Sequence, residues 1–148
     1  MGPLNIQIGC NDRGEAGAWV DFEHNGRAVF VGKAQWVGVD LDGTLARNDG
    51  FVRTAPPYPL GQPIPAMIEM VRSLQQAGVV VKIFTARACE PASIPAIQDW
   101  AEAHELGRLA VTNQKDFDLI RYYDDRAIQM IPDAGLLAHT LPAYRFNT

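Results

Sequence analysis

Cysteine is scarce in this sequence. Only Cys10 and Cys89 occur in 148 residues, with no CxxC pair and no Cys/His spacing that would build a structural zinc site. Two distant thiols read as free side chains in a reducing compartment. Histidine is equally sparse: His24, His104 and His139 are scattered and read as surface or helix residues rather than ligands. There is no run of basic residues, and 13 Lys and Arg against 17 Asp and Glu leave a formal net charge of −4. That balance excludes a broad phosphate-tracking surface for duplex nucleic acid, though not a local basic groove. No apolar run approaches the ~20 residues of a membrane-spanning helix. The first residues, MGPLNIQIGCNDRGE, lack the basic start and apolar block of a secretory signal. The expectation is a cytoplasmic chain without a membrane partner.

What is present fits one folded domain over residues 1–148. An apolar fraction of 47% and a charged fraction of 20% are ordinary for a globular chain of this length. Strand-like and helix-like segments alternate, which predicts an α/β fold with a mainly parallel sheet. Gln35–Asp40 is a short apolar run ending in a carboxylate. A polar, Pro-rich loop follows over Arg47–Pro63. Pro65 suits a first helical turn, and Ile64, Met67, Ile68, Val71 and Leu74 form a helical stripe that Gly78 ends. Val79–Phe84 is a β-branched run that reads as a buried strand. A second helix is predicted over Pro91–Glu105, strands over Leu109–Thr112 and Leu119–Tyr123, and a last short helix around Asp133–His139. Residues 1–34 alternate loosely, and Asn25-Gly26 is a hairpin signal. They predict a β-hairpin or meander added to a core over 35–148.

Four polar clusters each follow a predicted strand. They are Asp40-Leu41-Asp42-Gly43-Thr44, Thr85-Ala86-Arg87, Asn113-Gln114-Lys115 and Asp124-Asp125. Ligands of open α/β sheets bind at that edge. Asp40 and Asp42 can turn toward one point, with Gly43 permitting the tight turn. Thr85 offers a hydroxyl for phosphate oxygens, and Lys115 a compact positive charge. Asp124 and Asp125 are hard oxygen ligands, suited to magnesium rather than zinc. Such an acid-rich pocket repels itself without a cation. Taken singly, each cluster has a plainer reading: a turn at Asp40 or Asp124, a helix cap at Thr85, a solvated charge at Lys115. Trp36, Phe84 and Trp100 read as packing, and Tyr122 and Tyr123 as facing opposite sides of a strand.

The first cluster after an apolar strand resembles the first motif of the haloacid dehalogenase superfamily of phosphohydrolases. Phe84-Thr85-Ala86-Arg87, Lys115 and Asp124-Asp125 resemble its later motifs, in the family's order. The resemblance spans roughly Trp36 to Met130. It implies a three-layer Rossmann-like fold and a Mg2+-dependent phosphatase. It also implies roles. Asp40 is the nucleophile and a metal ligand. Asp42 is the general acid and base, with a backbone oxygen on the metal. Thr85 and Lys115 hold the phosphoryl group, and Asp124 and Asp125 are metal ligands, unranked. Gly43, Thr44, Ala86, Arg87 and Arg126 complete the expected substrate contacts. Tyr123-Asp124-Asp125-Arg126 is similar to small phage and bacterial members and to the phosphatase half of polynucleotide kinase–phosphatases, though no kinase P-loop is present. Leu45–Ile64 and Arg87–Leu109 are too short for a cap domain, so an open site is expected. Its substrate would be a phosphorylated small molecule or a nucleic-acid end, and the open site permits a bulky substrate, such as a polynucleotide end or a protein side chain, or closure by a partner. A rival expectation is a binding or scaffold protein of weak activity, with the N-terminal segment as a partner-binding or self-associating edge.

Overall fold

A computed structural model describes residues 4–51, 53 and 55–138. The predicted meander forms from β1 (Asn5–Cys10), β2 (Ala16–Asp21) and β3 (Val29–Gly32), an antiparallel sheet of that order. Its register sets Ile6 opposite Val20 and Ala18 opposite Val31. The alternation of β2 buries Ala18 and Val20, which join the main core with Val31. Asn25-Gly26 lies in the β2–β3 connection. The Asp21 carboxylate accepts from the amides of Asn25 at 3.2 Å and Gly26 at 2.8 Å.

The second sheet is parallel, in the order β6 (Val111–Thr112), β5 (Val80–Phe84), β4 (Trp36–Val39), β7 (Leu119–Tyr123). β4 lies inside it and is buried along its whole length, which is why its sequence is a continuous apolar run. Helix α1 (Pro65–Gln76) joins β4 to β5, and α2 (Ser93–Ala103) joins β5 to β6. Both steps move the same way across the sheet, so right-handed crossovers put both helices on one face. The core agrees: Val37, Val39, Val81 and Ile83 gather with Val71 and Leu74 of α1 and Ile97 and Ala101 of α2. The meander adds to that side, where Phe22 meets Tyr123 at 6.2 Å between ring centroids.

The opposite face carries Trp36, Gly38, Phe84 and Tyr122. A Cβ at Gly38 would come within 3.2 Å of all three neighbouring side chains. Phe84 meets Trp36 at 6.3 Å and Tyr122 at 5.6 Å. The β6–β7 connection holds no helix and is tied to this face, where Asp116 accepts the Trp36 indole N–H at 2.8 Å. The described residues thus form the parallel sheet and one helical layer. None of their helices is long and apolar enough to cross a membrane.

Two boundaries differ from expectation. α2 begins at Ser93 rather than Pro91, because Glu90–Pro91 forms a turn closed by the Ser93 amide on the Glu90 carbonyl. It ends at Ala103 because Glu105 adopts a φ of 68°. The helix expected around Asp133–His139 does not form over Asp133–Ala138. Asp133 and Gly135 have φ of 64° and 65°, which interrupt a right-handed helix, and Met130 instead bridges Leu137. His139 and the tail beyond it lie outside the described residues.

The Pro-rich loop expected over Arg47–Pro63 closes on itself. Its neck joins Ala46 to Pro63 by an antiparallel bridge and the Arg47 amide to the Gln62 carbonyl at 2.8 Å. Close ends make loop 48–61 an Ω-loop. A Cβ on Gly61 would collide with the Arg47 carbonyl oxygen, so the neck needs glycine there. Gly61→Ala is expected to destabilise the protein by roughly 2–3 kcal/mol in urea unfolding. An unchanged midpoint would show that the neck is not held as described.

Candidate active site

The chain leaves β4 at Asp40 and β7 at Tyr123, the neighbouring strand on the side away from β5. Between these two strands the connection order reverses, and the crevice at their carboxyl ends is where α/β sheets collect ligands. Asp40 and Asp124-Asp125 flank that crevice. One oxygen from each of Asp40, Asp124 and Asp125 falls within 4.8 Å of the others.

Local bonds fix this convergence. The Asp40 amide donates to the Tyr123 carbonyl at 2.8 Å, extending the β4–β7 ladder by one residue. The Asp125 amide donates to Thr44 Oγ1 at 3.0 Å, and the Thr44 hydroxyl donates back to Asp125 Oδ1 at 3.2 Å. Thr44 therefore ties the first cluster to the fourth. Gly43 has a φ of 90°, and a Cβ there would stand 2.6 Å from Asp125 Oδ2. Its glycine serves the turn and also makes room for the Asp125 carboxylate. Asp124 Oδ1 accepts the Arg126 amide at 2.8 Å, turning the chain after β7.

Three carboxylates so close repel one another. The Asp40 carboxyl is pushed up from its ordinary 3.8 to about 7, first by burial, then by its hydrogen bond with Asp125 and the charge of Asp124. A hard divalent cation would relieve the repulsion, and an all-oxygen donor set suits one. The residues present therefore fit such an ion.

The second cluster meets the first through Asp42. Arg87 Nε donates to Asp42 Oδ2 at 2.7 Å and Nη2 to Oδ1 at 2.7 Å, a bidentate pair. Arg87 is buried, and the Asp42 side chain is only 21% exposed. Losing one partner of such a pair costs about 3–5 kcal/mol, because the other charge stays buried alone. Arg87 was expected to contact substrate. Four of its N–H bonds go instead to protein, two to Asp42 and two to the Tyr58 and Pro59 carbonyls, at 3.1 and 2.9 Å. The Asp42 carboxylate is accordingly not a member of the three-carboxylate group.

Thr85 is buried at the end of β5, and its Oγ1 accepts the Arg87 amide at 3.2 Å. It caps a short 3-10 turn over Ala86–Cys89, the plainer reading of this residue, while its hydroxyl proton is left free to donate elsewhere. Ala86 is exposed at the start of that turn, and the Arg126 side chain is exposed as well. Lys115 forms no ion pair with Asp40, Asp124 or Asp125. Its ammonium lies 4.9 Å from the Tyr122 ring centroid and 3.4 Å from the Tyr122 hydroxyl. Phe51, Tyr58 and Glu90 at the site were not anticipated. The available signal was two aromatic residues in an otherwise polar, Pro-rich loop.

A cleft between α1 and the end of α2, lined by Glu69, Arg72, His104 and Glu105, lies apart from these groups and gathers no ligand set. No family model, no curated protein and no solved structure matches this chain.

A carboxyl whose folded pKa is raised binds its proton better when folded. Its stabilising contribution is present below pH 3.8 and is lost as pH rises through about 7. In chelator, wild type should therefore lose stability between about pH 4 and pH 7 relative to Asp40→Asn. The difference should be on the order of 1–2 kcal/mol for this half-exposed group. Parallel pH profiles in urea unfolding would show that the carboxylates do not crowd one another.

Proposed function

We propose that the chain is a Mg2+-dependent phosphatase of the haloacid dehalogenase type, hydrolysing a phosphate monoester through an aspartyl-phosphate on Asp40. The observation that carries this reading is the convergence of Asp40, Asp124 and Asp125 on one point of the β4–β7 crevice. Asp42 is fixed two residues beyond the nucleophile.

In this mechanism an Asp40 oxygen attacks phosphorus, and the bond from phosphorus to the leaving oxygen breaks. Asp42 gives that oxygen a proton, then takes one from the water that attacks the phosphoenzyme. Phosphate leaves and Asp40 is restored. Each Asp42 oxygen accepts one N–H from Arg87 and has a second acceptor direction for the proton. Asp40, Asp124 and Asp125, with the expected backbone oxygen of Asp42, would hold Mg2+, which neutralises charge on nucleophile and phosphoryl oxygens. The Thr85 hydroxyl and the Ala86 amide would receive phosphoryl oxygens, since the Arg87 and Ala88 amides already bond to Thr85. The resemblance that implies this chemistry also implies a three-layer fold. Its second helical layer would have to cover the face of Trp36, Phe84 and Tyr122.

A nucleotide or polynucleotide end is the substrate class this reading favours. Among the described residues there is only an Ω-loop between β4 and α1, and only the 3-10 turn and α2 between β5 and β6, so a bulky phosphate could reach the crevice. Arg126, exposed beside Asp125, would meet such a substrate.

One observation favours a second reading. Lys115 rests on Tyr122 rather than against the carboxylates, as in a cation-binding module with little turnover. In that reading β1, an outer strand of the meander, is the partner-binding or self-pairing edge, and mass in solution would report a dimer.

Aryl phosphate hydrolysis separates the two. Wild type with Mg2+ should release phosphate, chelator should stop it, and Asp40→Asn should lower kcat at least about a thousandfold with an intact fold. Retained turnover in Asp40→Asn would remove this mechanism. Absence of turnover on aryl phosphate, nucleoside monophosphates and 3′-phosphorylated oligonucleotides alike would favour the binding module.

A further inference from the structure

Arg87 is the only buried cation among the described residues. Its guanidinium joins Asp42 to the Ω-loop. One edge grips Asp42. The remaining N–H bonds reach the Tyr58 and Pro59 carbonyls of the Ω-loop. The Phe51 ring covers the guanidinium at 4.1 Å and stacks on Tyr58, with centroids 5.2 Å apart and planes at 23°. Tyr58 donates its hydroxyl proton to Glu90 Oε1 at 2.7 Å, just past the turn that carries Arg87. The loop is thereby fastened to that turn at Arg87 and again at Glu90.

We infer that Arg87 is a positioning residue, which orients the Asp42 carboxylate for proton transfer and is itself held by Phe51, Tyr58 and Pro59. The catalytic half of this inference rests on the phosphatase reading; the mechanical link between loop and carboxylate does not. A planar fork on both oxygens leaves the carboxylate little freedom to rotate, and a point-charge ammonium could not do the same. Two carbonyls and a ring face fix the fork in turn, so the loop sets the direction in which Asp42 points. Phe51 and Asp42 are then coupled through Arg87, which bonds to one and lies against the other.

A stability cycle tests the link without any substrate. Asp42→Ala, Phe51→Ala and the double variant would be unfolded in urea without metal, in native and Arg87→Met backgrounds. In the native background the double variant's unfolding constant should differ at least about fivefold from the product of the two single effects. With Arg87→Met the effects should multiply. Multiplicative effects in the native background overturn the link, and that arm decides even where Arg87→Met does not fold. Steady-state kinetics on aryl phosphate with Mg2+ test the catalytic half. Phe51→Ala should lower kcat about tenfold and leave KM within about twofold. An unchanged kcat, or a change confined to KM, overturns the positioning role. A wild-type protein with no turnover sinks the phosphatase reading and that role together, while the cycle still decides the link.

Discussion

Like charges gathered at one point are the constraint to which the rest of this structure answers. Three carboxylates with oxygens within 4.8 Å of one another are costly in any folded chain, and burial together with the neighbouring Asp125 and Asp124 pushes the Asp40 carboxyl upward. They stay together because the backbone leaves them little choice. Asp40 and Asp124 follow adjacent parallel strands, and the ladder bond from Asp40 to Tyr123 holds those strand ends side by side. Thr44 then bonds to Asp125 through both its hydroxyl and the Asp125 amide. The sheet core stabilises the strands, and the strands impose the repulsion. Under the proposed function, such a site would be prepared for a cation before one arrives.

Asp42 lies two residues from that cluster and meets a different solution. Its charge is matched by a buried guanidinium rather than shared with the other carboxylates. Buried ion pairs add little net stability, since both groups give up water. Their effect is directional. A bidentate pair fixes an angle, and here the angle is fixed by a guanidinium whose other bonds belong to a loop. The Ω-loop therefore borders Asp42 through Arg87.

The two faces of the parallel sheet also differ in kind. One holds the aliphatic core with both helices and the meander. The other holds an aromatic row, Trp36, Phe84 and Tyr122, with Lys82 and Lys115 over its rings. This division explains where Lys115 rests. The connection from β6 to β7 contains no helix and is anchored on the aromatic face by Asp116, so its lysine finds a ring there.

Strand and helix placement was legible because it rests on local pattern. β4 and β5 are short apolar runs, α1 has a 3.6-residue stripe between Pro65 and Gly78, and Asn25-Gly26 marks the meander's turn. The four clusters were legible for the same reason, since each follows a strand and strands of a parallel sheet end on one edge. Where local pattern was weak the reading failed, as at Asp133–Ala138, where two positive φ values oppose a helix. Pairings between distant residues lay beyond such reading. Nothing in Thr85-Ala86-Arg87 says that its guanidinium will turn to Asp42 and two loop carbonyls rather than to a ligand. Nothing in Asn113-Gln114-Lys115 says that the ammonium will settle on Tyr122. Sequence alone determined which residues reach the edge of the sheet, because hydrophobic period and chain direction are local properties. Only the tertiary structure decided which of them face one another, because partners 45 or 81 residues apart are chosen by packing and charge in three dimensions.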